Sequence, residues 1–275
     1  MPHRIRLKFW GVRGSIPTPG LENLAFGGNT PCLEVGLPNG EILIIDGGTG
    51  IRQLGLDLVK GAKKKPLVLH FLMTHFHWDH LQGIPFFAPL YSAANEITFY
   101  SGRPAAELQE ILQGQMTGPY FPVGFNLLPA RRNFEQVHSH GLKFGSASVR
   151  CFPLHHPQGA FGYRLESNGA VIVHASDREH GHAHLDSVLI DYAQDADVLI
   201  YDAQYTPEEY EQHRGWGHST WLEAARVAQK ARVKQLVLFH HDPGHNDETI
   251  ARITEDARAE FKNVEAAREG WTIHL

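Results

Sequence analysis

Short apolar runs, separated by polar or glycine-rich turns, form the dominant pattern along the chain. Turns such as Asp46-Gly47-Gly48 and Ser176-Asp177 follow directly after several of these runs. The runs have the length of buried strands, and open α/β sheets gather their functional residues at strand ends. Strands are predicted at residues 5–10, 32–35, 42–45, 67–73, 97–100, 170–174, 198–201 and 236–239.

Helical periodicity lies between the predicted strands. Thr220 and Glu223 form a capping-box pair ahead of small apolar residues at helical spacing. Isoleucines and alanines on one face predict a second helix behind Asp247, and a third is predicted after Pro104. The region 114–133 is rich in glycine, proline and aromatic residues and predicts an ordered loop. The mixture of strands and helices predicts an α/β protein.

Composition places the chain among ordinary globular proteins. It has 275 residues, of which 42% are hydrophobic and 20% charged, so one domain over residues 1–275 is expected. The net charge of −5 disfavours a protein that coats nucleic acid. The unusual count is 19 histidines, because histidine is the commonest metal ligand and an acid or base near neutral pH.

The cysteines and the apolar runs exclude several classes of protein. Cys32 and Cys151 do not form a C-x-x-C pair, so a cysteine zinc site is excluded and no disulfide is expected. The first ten residues lack the apolar core of a signal peptide. No apolar stretch approaches the ~20 residues that span a bilayer. A cytoplasmic protein with no membrane association is therefore expected.

The densest group of potential metal ligands is His75-Phe76-His77-Trp78-Asp79-His80, directly after the run at 67–73. Strand alternation sends His75 and His77 to one side, and a following helical turn brings Asp79 and His80 back toward the same point. Four ligands exceed the needs of one three-ligand site, so two adjacent ions are predicted. The alternative is a solvated polar turn.

This motif resembles the signature of the metallo-β-lactamase fold superfamily, which implies an αββα sandwich with a metal site at one edge of its two sheets. An H-x5-G-Y-R pattern similar to that of the ribonuclease Z branch indicates His156 as the next ligand, with His155 as the alternative. Asp177 is similar to the bridging aspartate, although a turn or N-cap aspartate is the alternative. His240 is similar to the last ligand, with His241 as its competitor.

The resemblance implies a ligand set in two halves joined by one carboxylate. Zinc is the expected metal, with manganese and iron as alternatives, because all three accept histidine and carboxylate ligands. The first ion is expected on His75, His77 and His156, the second on Asp79, His80 and His240, with Asp177 bridging them.

Gly217-His218-Ser219-Thr220 resembles the G-H-S-T motif of ribonuclease Z and related phosphodiesterases, where the histidine acts at the scissile phosphate. The alternative is that His218 merely precedes a helix. Asp202 stands where that branch has a glutamate, which is one methylene longer, and is expected to orient and charge His218. Two glycine-rich segments at the N-terminus also resemble this branch and imply substrate contacts at Ser15, Asn29 and Thr30.

The resemblance implies a dinuclear hydrolase that cleaves a phosphodiester through a metal-bridging hydroxide, with Asp79, His218 and Asp202 as catalytic residues. The chain departs from ribonuclease Z at 241–245, and the region 101–140 lacks a long basic arm. A small or cyclic phosphodiester, as in the phosphonate-pathway branch, is therefore favoured over nucleic acid. The alternatives are a lactonase- or thioesterase-type carbonyl hydrolase, a tRNA 3′-processing endonuclease and a non-catalytic metal-binding module. The family often forms dimers, so a homodimer is one expectation.

Overall fold

The computed structural model describes residues 5–138 and 140–275, and their strands form two seven-stranded sheets. The first sheet contains, in spatial order, Thr272–His274 (β14), Arg6–Gly11 (β1), Cys32–Gly36 (β2), Ile42–Ile45 (β3), Val68–Leu72 (β4), Glu96–Ser101 (β5) and Arg131–Gln136 (β6). The second contains Val264–Ala266 (β13), Gln235–Phe239 (β12), Val198–Asp202 (β11), Ala170–Ala175 (β10), Ala160–Ser167 (β9), Ala147–Leu154 (β8) and Leu142–Phe144 (β7).

Helices cover the outer faces of both sheets. Those on the first sheet include Ile51–Ala62 (α1) and Ala105–Gln115 (α3), and the short Trp78–Leu81 (α2) follows β4. Those on the second are Ala183–Ala193 (α4), Trp221–Lys230 (α6) and Asp247–Glu260 (α7), with Pro207–Tyr210 (α5) between β11 and α6.

Three buried apolar clusters fill the spaces between four layers. One lies between the sheets and joins Leu7 and Leu33 of the first sheet to Leu165 and Ile200 of the second. The other two lie under the helices on either outer face. Each fully buried Leu or Ile contributes about 1.5–3 kcal/mol relative to an exposed one. The predicted αββα sandwich is confirmed.

Parallel pairing determines where the polar turns meet. β3, β4 and β5 are parallel neighbours in the first sheet, and β10, β11, β12 and β13 are parallel neighbours in the second. β8 and β10 both pair antiparallel with β9, so they too run in one direction. The carboxyl ends of these strands therefore lie together at one edge of each sheet.

Each of the eight predicted strands matches an observed strand to within one residue at either end, and the three predicted helices are α6, α7 and α3. The prediction of a loop over residues 114–133 is wrong at both ends of that range. α3 continues to Gln115 because Leu108 and Leu112 pack onto the sheet, and β6 begins at Arg131, which pairs with Glu96. Within residues 5–138 and 140–275, no helix has the length and apolarity needed to cross a membrane.

Candidate metal centre

Three histidines form the first cluster, with one nitrogen from each lying within 4.8 Å of the others. His75 and His77 follow the end of β4, and His156 lies in the turn between β8 and β9. His77 Nδ1 is 3.2 Å from His156 Nε2, and the His75 ring centroid is 4.6 Å from that of His77. His77 is exposed and the other two are buried, so this cluster opens to solvent on the His77 side.

The second cluster contains two carboxylates and two imidazoles, all buried. The α2 turn after His77 returns Asp79 and His80 to the strand ends, and His80 Nε2 lies 3.2 Å from Asp79 Oδ2. His240, directly after β12, has Nε2 3.1 Å from that same oxygen. Both predicted groups of ligands are thus brought together at one edge of the sandwich.

Asp177 lies between the two clusters. Its Oδ1 is 3.7 Å from His75 Nε2 in the first cluster and 3.1 Å from His240 Nε2 in the second, and its Oδ2 is 3.3 Å from His80 Nε2. Its φ of 58° lies in the left-handed region, which aspartate tolerates better than most residues. This turn directs the carboxylate across the edge of the sheet, where one oxygen can serve each cluster.

Every candidate imidazole ligand has its second nitrogen fixed by a separate partner. Such a contact sets the tautomer and directs the remaining nitrogen toward the metal position. The partners are Thr74 Oγ1 for His75 (3.2 Å), Gln158 Oε1 for His77 (3.0 Å), Asp46 Oδ2 for His80 (2.8 Å), Gly217 O for His156 (2.8 Å) and Gln204 Oε1 for His240 (2.8 Å).

The surroundings of His75 Nε2 indicate whether these residues fit a cation. This atom is buried and has no hydrogen-bond partner among residues 5–138 and 140–275, and it lies beside the Asp177 carboxylate. A buried polar atom without a partner costs about 1–3 kcal/mol. A divalent cation between His75 and Asp177 would satisfy both, and the mixed histidine and carboxylate donors suit zinc and its neighbours. The residues therefore fit a divalent-metal site.

The two clusters differ in their electrostatics. Burial lowers the pKa of His156 to about 4, so its imidazole is neutral and ready to bind a cation near pH 7. Burial opposes charge on His240 as well, but Asp177, Asp79 and Asp202 raise its pKa to about 9. The carboxylates of the second cluster thus require positive charge beside them, which a bound cation supplies when it displaces the protons of its ligands.

Asp202 reaches His218 although it is shorter than glutamate. Its Oδ2 accepts a hydrogen bond of 2.8 Å from His218 Nδ1 and one of 3.0 Å from the Asp177 backbone N–H. Its Oδ1 accepts from the backbone N–H groups of Ser219 and Gln204, both at 3.1 Å. The His218 ring stacks on that of His240 with centroids 4.8 Å apart, so His218 borders the second cluster.

The three predicted substrate residues have different surroundings. The Ser15 backbone N–H donates to Asp79 Oδ2 at 2.8 Å, and its side chain is exposed. Asn29 Nδ2 instead donates to Glu269, at 2.9 Å. Thr30 is wholly buried, and its hydroxyl accepts from the Thr49 backbone N–H at 2.8 Å. Ser15 alone of the three contacts a candidate ligand.

The two competing histidines lie outside both clusters. His155 Nδ1 is 3.3 Å from the Glu179 carbonyl, and its ring faces His182. His241 Nε2 donates to the Ala267 carbonyl at 2.9 Å. The geometry therefore favours His156 and His240 as ligands.

Sequence reasoning did not identify the residues that support the ligands. Asp46 is wholly buried and also accepts from the Thr74 N–H and hydroxyl, at 2.9 and 2.7 Å. Gln204 supports His240 directly, and Glu179 accepts from the backbone N–H of Gly217, the residue that supports His156. The signal for Asp46 and Gln204 was their place in a turn after a strand, but their partners lie 34 and 36 positions away in the chain.

Comparisons with known proteins agree with this fold. Residues 42–241 match the family model described as "Beta-lactamase superfamily domain". The chain is 24% identical to the ribonuclease Z of Thermoplasma acidophilum, over 98% of this chain and 96% of that protein.

Two solved structures have the same fold. A metallo-β-lactamase fold protein from Bacillus subtilis, YhfI, has a TM-score of 0.73 at 18% identity, covering 99% of this chain and 100% of that one. A diphosphatase from the PhnP family has a TM-score of 0.71 at 18% identity, covering 99% and 98%. The family match extends over most of the chain and includes all seven candidate ligands. The chain belongs to the beta-lactamase superfamily, and it is a hydrolase of the metallo-β-lactamase fold whose clustered histidines and aspartates form a candidate divalent-metal site.

Proposed function

We propose that this protein, acting as one domain, is a two-metal phosphodiesterase for a small or cyclic phosphodiester. The expected metal is zinc. The proposed ligands are His75, His77 and His156 for one ion and Asp79, His80 and His240 for the other, with Asp177 shared. When bound, two such ions would acidify a water molecule and neutralise charge on the phosphate oxygens.

The observation that carries the proposal is the His218–Asp202 pair beside His240. Asp202 accepts from His218 Nδ1 at 2.8 Å, which holds the ring in place and leaves Nε2 as the nitrogen available to the leaving-group oxygen. A phosphodiester needs such a group because its alkoxide leaving group gains charge as the P–O bond breaks. The Ser15 N–H donates to Asp79 at 2.8 Å and its side chain is exposed beside the site, so Ser15 is the proposed substrate contact.

The surroundings of the site favour a small substrate. Residues 117–130 contain no lysine or arginine, and the chain carries a net charge of −5. Tight binding of a nucleic acid requires several phosphate contacts from cations. A tRNA 3′-processing activity stays the second candidate because the ribonuclease Z of T. acidophilum is similar over nearly the whole chain.

A substrate panel tests this proposal. Protein reconstituted separately with zinc, manganese and iron is assayed with bis(p-nitrophenyl) phosphate, cyclic and linear nucleotide diesters, a precursor tRNA, a lactone and a thioester. We expect turnover of the small diesters that exceeds turnover of the other three. Cleavage of the precursor tRNA alone would favour the second candidate. Turnover of only the lactone or thioester, or of nothing, would overturn the proposal.

A further inference from the structure

Glu179 is a buried carboxylate that has no role in the metal binding or diester cleavage proposed for this site. It is 6% exposed and follows Asp177 by two positions. Its Oε1 accepts from the Tyr210 hydroxyl at 2.9 Å and from the Gly215 backbone N–H at 2.6 Å, while its Oε2 accepts from the Gly217 N–H at 3.0 Å. Both oxygens therefore hold the segment that leads directly into His218.

Gly217 connects the Glu179 carboxylate both to a candidate metal ligand, His156, and to His218. Its N–H donates to Glu179, its carbonyl accepts from His156 Nδ1 at 2.8 Å, and the next residue is His218. Its φ of 90° favours glycine, and a Cβ here would lie 2.4 Å from His156 Nδ1 and 2.3 Å from Pro157 Cδ. A shift of Gly217 therefore moves the partner of a candidate ligand and the histidine beside the substrate together.

A carboxylate is the side chain that suits this position. Three donors converge on its two oxygens, and a carboxylate has acceptor capacity for all three. Glutamine of the same size would turn an NH2 group toward at least one of these donors. Aspartate would keep the charge but is one methylene shorter, so it cannot make the same contacts to the Gly215 and Gly217 N–H groups.

We propose that Glu179 is a positioning residue that, through Gly217, sets the orientation of His156 toward the metal and of His218 toward the substrate. The His218 part rests on the proposed phosphodiesterase function. The His156 part concerns metal binding and does not depend on any substrate.

The test compares Glu179→Gln and Glu179→Asp with wild type. Glu209→Gln is the matched control, because Glu209 also fixes a loop, through the Thr206 N–H at 2.7 Å and His245 at 2.8 Å, but contacts neither His156 nor His218. Zinc affinity is measured by competition with a chromophoric chelator. We expect the weaker of the two zinc affinities to fall by about 10–100-fold in both Glu179 variants and to stay within about twofold in the control.

Turnover of two diesters separates positioning from general stability. Bis(p-nitrophenyl) phosphate has a good leaving group and diphenyl phosphate a poor one, so misplacement of His218 should reduce kcat for diphenyl phosphate several-fold more, with KM within about twofold. Equal losses for both diesters, with zinc affinity unchanged, would overturn the proposal. If the wild type cleaves none of the diesters, including the cyclic and linear nucleotide diesters of the substrate panel, the proposed function fails, but the zinc competition still tests Glu179.

A milder variant keeps the test valid if the Glu179 variants do not fold. Tyr210→Phe removes one of the three hydrogen bonds and leaves the carboxylate in place. We expect a zinc affinity that falls in the same direction by a smaller factor. A Tyr210→Phe protein indistinguishable from wild type in both zinc affinity and diester ratio would contradict the proposal in that case.

Discussion

The site has two regions that are built in different ways: a ligand half, which contains the candidate metal ligands, and a His218 half, which contains His218 and Asp202. In the ligand half each imidazole has its own partner, such as Asp46 for His80 and Gln204 for His240. In the other half a single carboxylate, Asp202, accepts from His218 and from three backbone N–H groups. Loss of one partner should therefore weaken the ligand half partially, whereas loss of Asp202 disturbs its whole half at once.

The largest effect is expected from the one residue shared by both clusters. Asp177→Ala removes the carboxylate that lies 3.1 Å from His240 and 3.7 Å from His75. Because a lost ion removes several kcal/mol of transition-state stabilisation, we expect diesterase activity to fall about 10⁴-fold or more. Metal analysis after gel filtration should show fewer than two ions per chain. Asp191→Ala, on the exposed face of α4, is the control that should keep both ions.

His218→Ala should break the other half and leave the ligands intact. We expect kcat for diphenyl phosphate, which has a poor leaving group, to fall about 10²–10³-fold, within the usual contribution of a positioned acid, and kcat for bis(p-nitrophenyl) phosphate to fall less. Bound metal should equal that of wild type. The control is His213→Ala, a nearby histidine whose Nδ1 donates to the Glu209 carbonyl at 2.7 Å. Full activity of the His218 variant would mean that this histidine only precedes a helix.

Asp202→Asn tests whether Asp202 acts through His218. An asparagine keeps one acceptor oxygen but turns an NH2 group toward some of the four donors, so we expect a loss of about 10–100-fold. In the His218→Ala background the same change should have little further effect, because residues that act as a unit are not additive. Steady-state kinetics of the two single variants and the double variant measure this coupling. If the activity loss of the double variant equals the product of the two single losses, Asp202 and His218 have independent roles.

The smallest effects are expected among the partners of the ligand half. Gln204→Leu removes a buried contact to His240, and Gln158→Leu removes an exposed contact to His77. We expect zinc affinity to fall about tenfold for Gln204→Leu and less for Gln158→Leu, because solvent can replace a lost contact only at the exposed site. Chelator competition gives both values, and the reverse order would contradict the role assigned to burial.

Local patterns predicted eight strands but missed six, among them β8 and β9 in the interior of the second sheet and short strands that form through pairing between distant segments. The eight predicted strands are short segments rich in apolar residues, whereas β13 and β14 have three residues each and form because they pair with β12 and β1. α1 was missed because two glycines weaken its helical pattern. One of them, Gly55, packs so close to Phe87 that a Cβ would lie 2.8 Å from its ring, which explains glycine there.

The site shows the same division. His75 to His80 lie within one strand end and one turn, so their spacing predicts a common centre from sequence alone. His156, Asp177 and His240 were found only through resemblance to a family. The contacts of Glu179 to Gly215 and Gly217 span 36 and 38 positions, and no local pattern encodes them.

The central claim is a site that uses two ions per chain. Metal-free protein is titrated with zinc while bound zinc and hydrolysis of bis(p-nitrophenyl) phosphate are measured on the same samples. We expect two zinc ions per chain at saturation, with most of the activity appearing as the second ion binds. Full activity with one bound ion, and no second ion at saturation, would contradict the account.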